Sequence, residues 1–197
     1  MHKVVATQGL VLTKRSAGEA NTLVAILTKD LGLVRAAARS ARVEQSKLRY
    51  GLEPLTQGKF SMVRGRYEWK LVGTEELSRA YLAGSPLSRR AAGRVTRLLL
   101  RLIHGEEPVA DLYTTVVEGL DRLVRAESEA ELESVECVLV LRVLAHLGYL
   151  PHTPALAPFL QTAPEGEFMS EDLAVAVARS RPSLIRTINH SLSATGL

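Results

Sequence analysis

The hydrophobic pattern of this chain changes period once, near residue 77, and that change divides the folding problem in two. In front of it, short runs rich in Val, Thr, Leu and Ala are punctuated by glycine. Behind it, apolar residues recur every three or four positions through long stretches. Side chains alternate across a strand but return every 3.6 residues on a helix, so the two patterns cannot belong to one kind of element. The expectation is an α+β chain, with strands over 1–77 and helices over 78–197.

Charge divides at almost the same place. All six lysines lie at or before Lys70, and residues 1–75 carry a net +7, against −3 for the remainder. A small basic unit joined to a larger, mildly acidic one is the pattern of a polyanion-binding module on a protein-interaction platform. The single cysteine, Cys137, excludes an internal disulfide, and its Glu-Cys-Val-Leu-Val-Leu setting predicts a buried, unreactive thiol. No signal-like N-terminus and no uncharged run approaching the roughly 18 residues of a membrane span is present. A soluble, cytoplasmic protein is expected.

Within the front part, residues 4–14 read as a strand that Gly18 breaks, and Asn21–Lys29 as a central strand, apolar on both faces. Asp30-Leu31-Gly32 is a turn signal. From Leu33 the alternation puts Val34, Ala36 and Ala38 on one face and Arg35, Ala37 and Arg39 on the other. Ser46–Glu53 reads as a short helix or loop. Leu55–Arg64 and Tyr67–Gly73 read as two more strands, joined in a hairpin at Arg64-Gly65-Arg66. Five short strands in about seventy residues suggest a small closed barrel. Periodicity allows an OB-fold or an SH3-like barrel alike, and the basic residues favour the OB type.

In the rear part, Ser85-Pro86 starts a helix whose apolar positions are Leu87, Ala91, Val95, Leu98, Leu99 and Leu102. Arg90, Arg94, Arg97 and Arg101 form a stripe along it, read as a solvated face pairing with acids such as Glu106 and Glu107, or as an extension of the polyanion path. A second helix is predicted over 109–125. Ser128-Glu129-Ala130-Glu131 is a capping box that opens a third helix, ending at Gly148. That helix is apolar nearly all round, which marks the centre of a bundle. Pro151, Pro154, Pro158 and Pro164 predict a loop over about 149–169, Ser170 a short helix, and Pro182-Ser183 the start of a final one.

The order of short motifs resembles the RecO family of bacterial recombination mediators. The residues that carry the resemblance begin with Gly9-Leu10-Val11-Leu12, Gly18-Glu19 and the run from Leu27 to Arg35. They continue with the run from Ala37 to Arg42, Ser46-Lys47-Leu48, Leu52-Glu53-Pro54-Leu55, Arg64-Gly65-Arg66 and Thr74-Glu75-Glu76-Leu77. In the rear, Leu147-Gly148-Tyr149-Leu150-Pro151 is similar to the family's Leu-Gly-Tyr-x-Pro signature. The resemblance implies an N-terminal five-stranded OB-fold barrel followed by an all-helical C-terminal domain, the DNA-binding barrel ending at residue 77. It also implies binding of single- and double-stranded DNA, annealing of complementary strands, and work with RecR in loading RecA onto DNA coated by single-strand binding protein, in the cytoplasm and on the nucleoid.

Two departures from the family pattern bear on this. The stretch after Pro151, from His152 to Pro158, lacks the family's four-cysteine zinc site, so no zinc or other cofactor is expected. Where the family usually has Ala-Lys-Gly, this chain has Ala38-Arg39-Ser40.

Tracking a polyanion needs cations that follow phosphates and a surface tolerant of any base. The candidates are Lys14, Arg15, Arg35, Arg39, Arg42, Lys47, Arg49, Arg64 and Arg66. Tyr50 and Tyr67 are candidates for base stacking, whereas Phe60 and Trp69 are expected in the core. The small Ala37 is expected to let a backbone approach. Lys3, Lys29 and Lys59 read as solvated charges. The resemblance further implies that the helical domain receives the acidic tail of single-strand binding protein; Arg142, on the central helix, is the candidate for that contact, with a snorkelling side chain as the plain alternative. No catalytic constellation stands out: the histidines are scattered, and Gly-x-Ser-x-Gly and phosphate-loop motifs are absent. A non-enzymatic binding protein is expected. The alternatives are a general OB-type RNA-binding module, and a scaffold whose basic barrel docks an acidic protein.

Overall fold

The computed structural model describes residues 3–43, 45, 46, 48–151, 153–161 and 167–194. Five strands, β1 (Val4–Ala17), β2 (Asn21–Thr28), β3 (Gly32–Ala38), β4 (Gln57–Arg64) and β5 (Trp69–Ser78), form a closed barrel in the order β1-β2-β3-β5-β4. β1 is long enough to pair twice. Its first half runs antiparallel to β4 and its second half to β2, with Gly9 and Leu10 in both ladders. Closure comes from a short parallel pairing of β3 with β5, at Ala36–Ala38 against Trp69–Leu71. This is a five-stranded barrel of the OB type, so of the two barrels the periodicity allowed, the structure has the one the charge favoured.

The inward row is the alternation read from the sequence. Val34, Ala36 and Ala38 pack with Val11, Val24, Ile26, Phe60, Met62, Trp69 and Leu71 in one core. Phe60 and Trp69 are buried, as expected. The turn before β3 places Gly32 at φ +66°, where a Cβ would lie 2.4 Å from the Glu107 carbonyl oxygen. Only glycine meets both conditions, the left-handed backbone and the close approach. The stretch read as helix or loop carries a 3-10 turn, Arg49–Leu52, that closes one barrel end with the buried Leu52.

Residues Met1–Tyr81 and Ile103–Pro108 make one compact unit; Leu82–Leu102 and Val109–Leu197 make the other. The second consists of α1 (Pro86–Leu102), α2 (Leu112–Val124), α3 (Glu129–His146), α4 (Ala157–Leu160) and α5 (Glu171–Ala194). The central position expected of the third helix is observed: α3 packs against α1, α2, α4 and α5. Its predicted cap is present too, with Ser128 Oγ accepting from the Glu131 amide at 3.2 Å and Glu131 Oε2 accepting from the Glu127 amide at 2.8 Å. The amides of Gly148 and Tyr149 close its far end on the carbonyls of Ala145 and Leu144.

Two readings of the rear part are corrected. The expected pair of terminal helices is one helix, α5, which runs through Pro182. Proline removes one backbone donor, and the residue whose carbonyl loses it, Ala178, is exposed, so the loss falls on the solvent side of the helix. The proline-rich stretch is not all loop, because α4 tolerates Pro158 in its first turn and buries Phe159. Pro164 and His152 lie outside the described residues. No helix among the described residues is long and apolar enough to cross a membrane.

Candidate nucleic-acid interface

The barrel sorts the predicted cations into three groups, and strand register determines which residue joins which. Paired residues of an antiparallel ladder share a face. Lys14 pairs with Val24, which pairs with Ala36, so Lys14 belongs to the inward row and emerges at the barrel end. There it lies 2.6 Å from Glu53 Oε1. Lys14, Arg42, Arg49 and Glu53, with Thr22, Ala41 and Leu52, line a cavity of about 320 Å³. Three cations around one carboxylate leave this mouth positive. Arg42 is positioned by two bonds to the β1–β2 turn: its guanidinium donates to the Gly18 carbonyl at 2.8 Å and its amide to the Ala20 carbonyl at 3.1 Å. Tyr50, beside Arg49, is 64% exposed and so offers a ring face to a ligand.

The second group is on the outward rows. Arg15 pairs with Leu23, which pairs with Ala37; Thr13 pairs with Ala25, which pairs with Arg35. Arg15 and Arg35 therefore occupy adjacent rows of one face of the β1-β2-β3 ladder. Arg39 lies just past the end of β3, in the turn that leads to Arg42, rather than on the strand. All three are exposed. Ala37 corrects the reading of an open floor: it is 7% exposed, so a ligand on this face would meet arginine heads and not the backbone at Ala37.

The third group is the β4–β5 hairpin. Its tip presents Arg66 with its guanidinium 5.2 Å from the Tyr67 ring centre, and Tyr67 is the most exposed large apolar side chain of the described residues, at 84%. Arg64 is differently committed. It donates to both Glu106 carboxylate oxygens, at 2.6 and 2.5 Å, and its guanidinium lies over the Trp69 ring at 5.1 Å. Burial pushes the Glu106 carboxyl up, but the hydrogen bonds and charge of Arg64 outweigh it and hold the carboxyl below its ordinary range. The sequence reading assigned Glu106 to the arginine stripe of α1, and this pairing corrects it. Lys47 lies outside the described residues.

Arg142 is not presented to a groove. It is 3% exposed, and it donates to the carbonyls of Phe159 at 3.1 Å, Phe168 at 2.7 Å and Gln161. Its guanidinium also lies 4.6 Å from the Phe168 ring centre. Burial lowers its pKa, with the Glu118 carboxylate opposing that shift. The side chain is a clamp that ties α3 to the segments around α4 and before α5, and snorkelling to solvent is equally excluded.

Sequence reasoning missed the acids. Nothing in local spacing relates Lys14 to Glu53 or Arg64 to Glu106, because each pair is made by the closure of the barrel unit.

Comparison with known proteins agrees with this arrangement of a barrel followed by helices. The family model for the N-terminal part of recombination protein O matches residues 1–78, and that for its C-terminal part matches residues 90–155. A protein from Synechococcus sp. (strain JA-2-3B'a(2-13)) named DNA repair protein RecO is 32% identical over 148 residues, covering 70% of this chain and 52% of the relative. A protein of the same name from Heliobacterium modesticaldum is 32% identical over 150 residues, covering 76% and 53%. One from Bifidobacterium longum subsp. infantis is 26% identical over 189 residues, covering 90% and 78%. The chain spans about half the length of the first two relatives.

Proposed function

This chain belongs to the RecO family, and from that premise we propose that it binds single- and double-stranded DNA through the cationic end and face of its barrel and anneals complementary strands. In this reading it works with RecR to load RecA onto DNA coated by single-strand binding protein, and it does so without covalent chemistry. The observation that carries the DNA-binding part is the convergence of Lys14, Arg42 and Arg49 on one cavity, with Arg15, Arg35 and Arg39 on or beside the β1-β2-β3 ladder.

Phosphates would lie along the arginines, each contact releasing condensed counterions, so affinity is expected to fall steeply with salt. Tyr50 and the Arg66–Tyr67 tip supply ring faces on which bases of any identity stack, each worth about 1–3 kcal/mol. Lys14 and Arg64 contribute less than their unpaired neighbours, since Glu53 and Glu106 already neutralise them.

The test is charge reversal of Arg35, Arg39 and Arg42 together, read by titration of a fluorescent oligonucleotide and by an annealing assay. Loss of both with an unchanged thermal melt supports the barrel site. Undiminished affinity of a folded triple variant refutes it. Running the annealing assay with RNA strands separates this reading from a general RNA-binding module, for which RNA would be the preferred substrate.

A further inference from the structure

We propose a second polyanion-binding surface, on the helical unit, in which Arg90, Arg97 and Arg101 of α1 hold the phosphates of a nucleic-acid strand. The nucleic-acid identity of the ligand rests on the reading above; the existence of the surface does not.

The composition of α1 is the starting point. Its seventeen residues, Pro86–Leu102, contain Arg89, Arg90, Arg94, Arg97 and Arg101 and no acid. The buried positions Ala91, Val95, Leu99 and Leu102 define one face. At about 100° per residue, Arg90, Arg94, Arg97 and Arg101 fall within a narrow arc on the opposite face. Each lies one turn from the next, where like charges repel and weaken a helix. A helix face built only for solubility would interleave glutamates with these arginines.

The neighbouring elements relieve only one of the four. Arg94 makes a two-pronged bond to Glu136 of α3, Nε and Nη2 reaching the two carboxylate oxygens at 2.6 and 2.5 Å. Glu133, the next acid on α3, is taken by Arg181 at 2.6 Å. Glu106, the sequence-adjacent acid, is held by Arg64 within the barrel unit. Among the described residues, Arg90, Arg97 and Arg101 are exposed and have no ion pair. The Glu136 bond has a positioning consequence: it fixes Arg94 in the middle of the stripe and leaves free cations on both sides of it.

The spacing suits a phosphate backbone. With a rise of about 1.5 Å per residue, Arg90 and Arg97 are roughly 10 Å apart along the helix and Arg97 and Arg101 roughly 6 Å. Arginine is the cation whose planar fork matches a phosphate at two points. No ring is part of the stripe, so the contact reads backbone charge and not base identity. A chain with one such surface on each unit can hold two strands at once, which is what annealing requires.

The experiment compares three full-length proteins, wild type, R35Q/R39Q/R42Q and R90Q/R97Q/R101Q, binding a fluorescent thirty-nucleotide oligo-dT strand across a salt series. Each is also tested against poly-glutamate, and thermal melts establish that all are folded. If all three helix arginines hold phosphates, their loss flattens the log–log salt slope by about 2 and weakens binding about a hundredfold at 0.1 M salt. A slope unchanged to within one contact, about 0.7, overturns the proposal. If the barrel variant alone loses DNA, the function proposed above stands and this one falls. If the helix variant alone loses DNA, this one stands and the barrel site falls. If wild type binds poly-glutamate through the helix arginines but the helix variant keeps its DNA affinity, the stripe docks an acidic protein and the nucleic-acid proposal is overturned.

Discussion

Replacing Ser40 with glycine is expected to stabilise the barrel. Ser40 has φ +52°, in the left-handed region, in the turn between Arg39 and Arg42. Its amide donates to Asn21 Oδ1 at 3.0 Å, and the turn carries the two arginines beside the barrel mouth. An L-residue in that region costs roughly 1–2 kcal/mol, which glycine does not incur. Glycine enlarges the unfolded ensemble at a cost of about 0.4–1 kcal/mol. The amide bond to Asn21 survives the change, so the net is a gain of about 0.5–1 kcal/mol. For a unit of about 80 residues that raises the melting point by roughly 2–8 °C. The assay is built in: Trp69, the only tryptophan, is buried in the barrel core, so its fluorescence follows unfolding of the barrel. Ser40→Ala is the control. It removes the hydroxyl but keeps the strained backbone, and it should melt with wild type. If Ser40→Gly melts at or below wild type, the strain argument is wrong. The same position is where the RecO resemblance expects glycine, so the chain tolerates at Ser40 a backbone shape that an L-residue fits poorly.

Four further outcomes follow from the same structure. Gly32→Ala, whose Cβ would sit 2.4 Å from a backbone oxygen at positive φ, should destabilise the barrel by about 3 kcal/mol or more, read by the same fluorescence. Arg142→Gln leaves buried carbonyls without their donors and should cost about 1–3 kcal/mol for each that stays unpaired, seen as an early loss of helical circular dichroism in urea. Glu131 is held below its ordinary range, first by the Glu127 amide and then, against the burial that pushes it up, by Arg122 and the Ser128 amide. A depressed carboxyl stabilises the fold above its unfolded value of about 4.3 and loses that contribution as pH falls through its folded value, so Glu131→Gln should flatten the acid limb of the helical unit's stability. Burial pushes the Cys137 thiol up to about 11, so it should resist thiol reagents at neutral pH until the protein is unfolded.

Much of the architecture was legible because its signals are local. Alternation at Val34, Ala36 and Ala38 identified an inward row, and the all-round apolarity of α3 placed it at the centre of the helices. Ser128 with Glu131 marked a helix start in four residues. The misreadings of Arg142 and Glu106 share a cause, since each concerned a partner distant in sequence. Pro182 reads as a boundary by propensity, but neighbouring packing carries α5 through it at an exposed point. Arg142 reads as a spare cation on an apolar helix, and its partners come from 17 to 26 residues away.

The sequence by itself determined the barrel-then-helices order and the excess of cations in the barrel part, because period and charge are properties of neighbours in the chain. Tertiary structure alone decided which cations are free. Barrel closure gives Lys14 to Glu53 and Arg64 to Glu106, and helix packing gives Arg94 to Glu136. Among the described candidates, Arg15, Arg35, Arg39, Arg42, Arg49 and Arg66 on the barrel unit and Arg90, Arg97 and Arg101 on α1 are outside these ion pairs, and theirs is charge that a polyanion can still neutralise. Ion pairing acts over a few ångströms of space and not over sequence separation, so only the folded chain could sort the spent cations from the available ones.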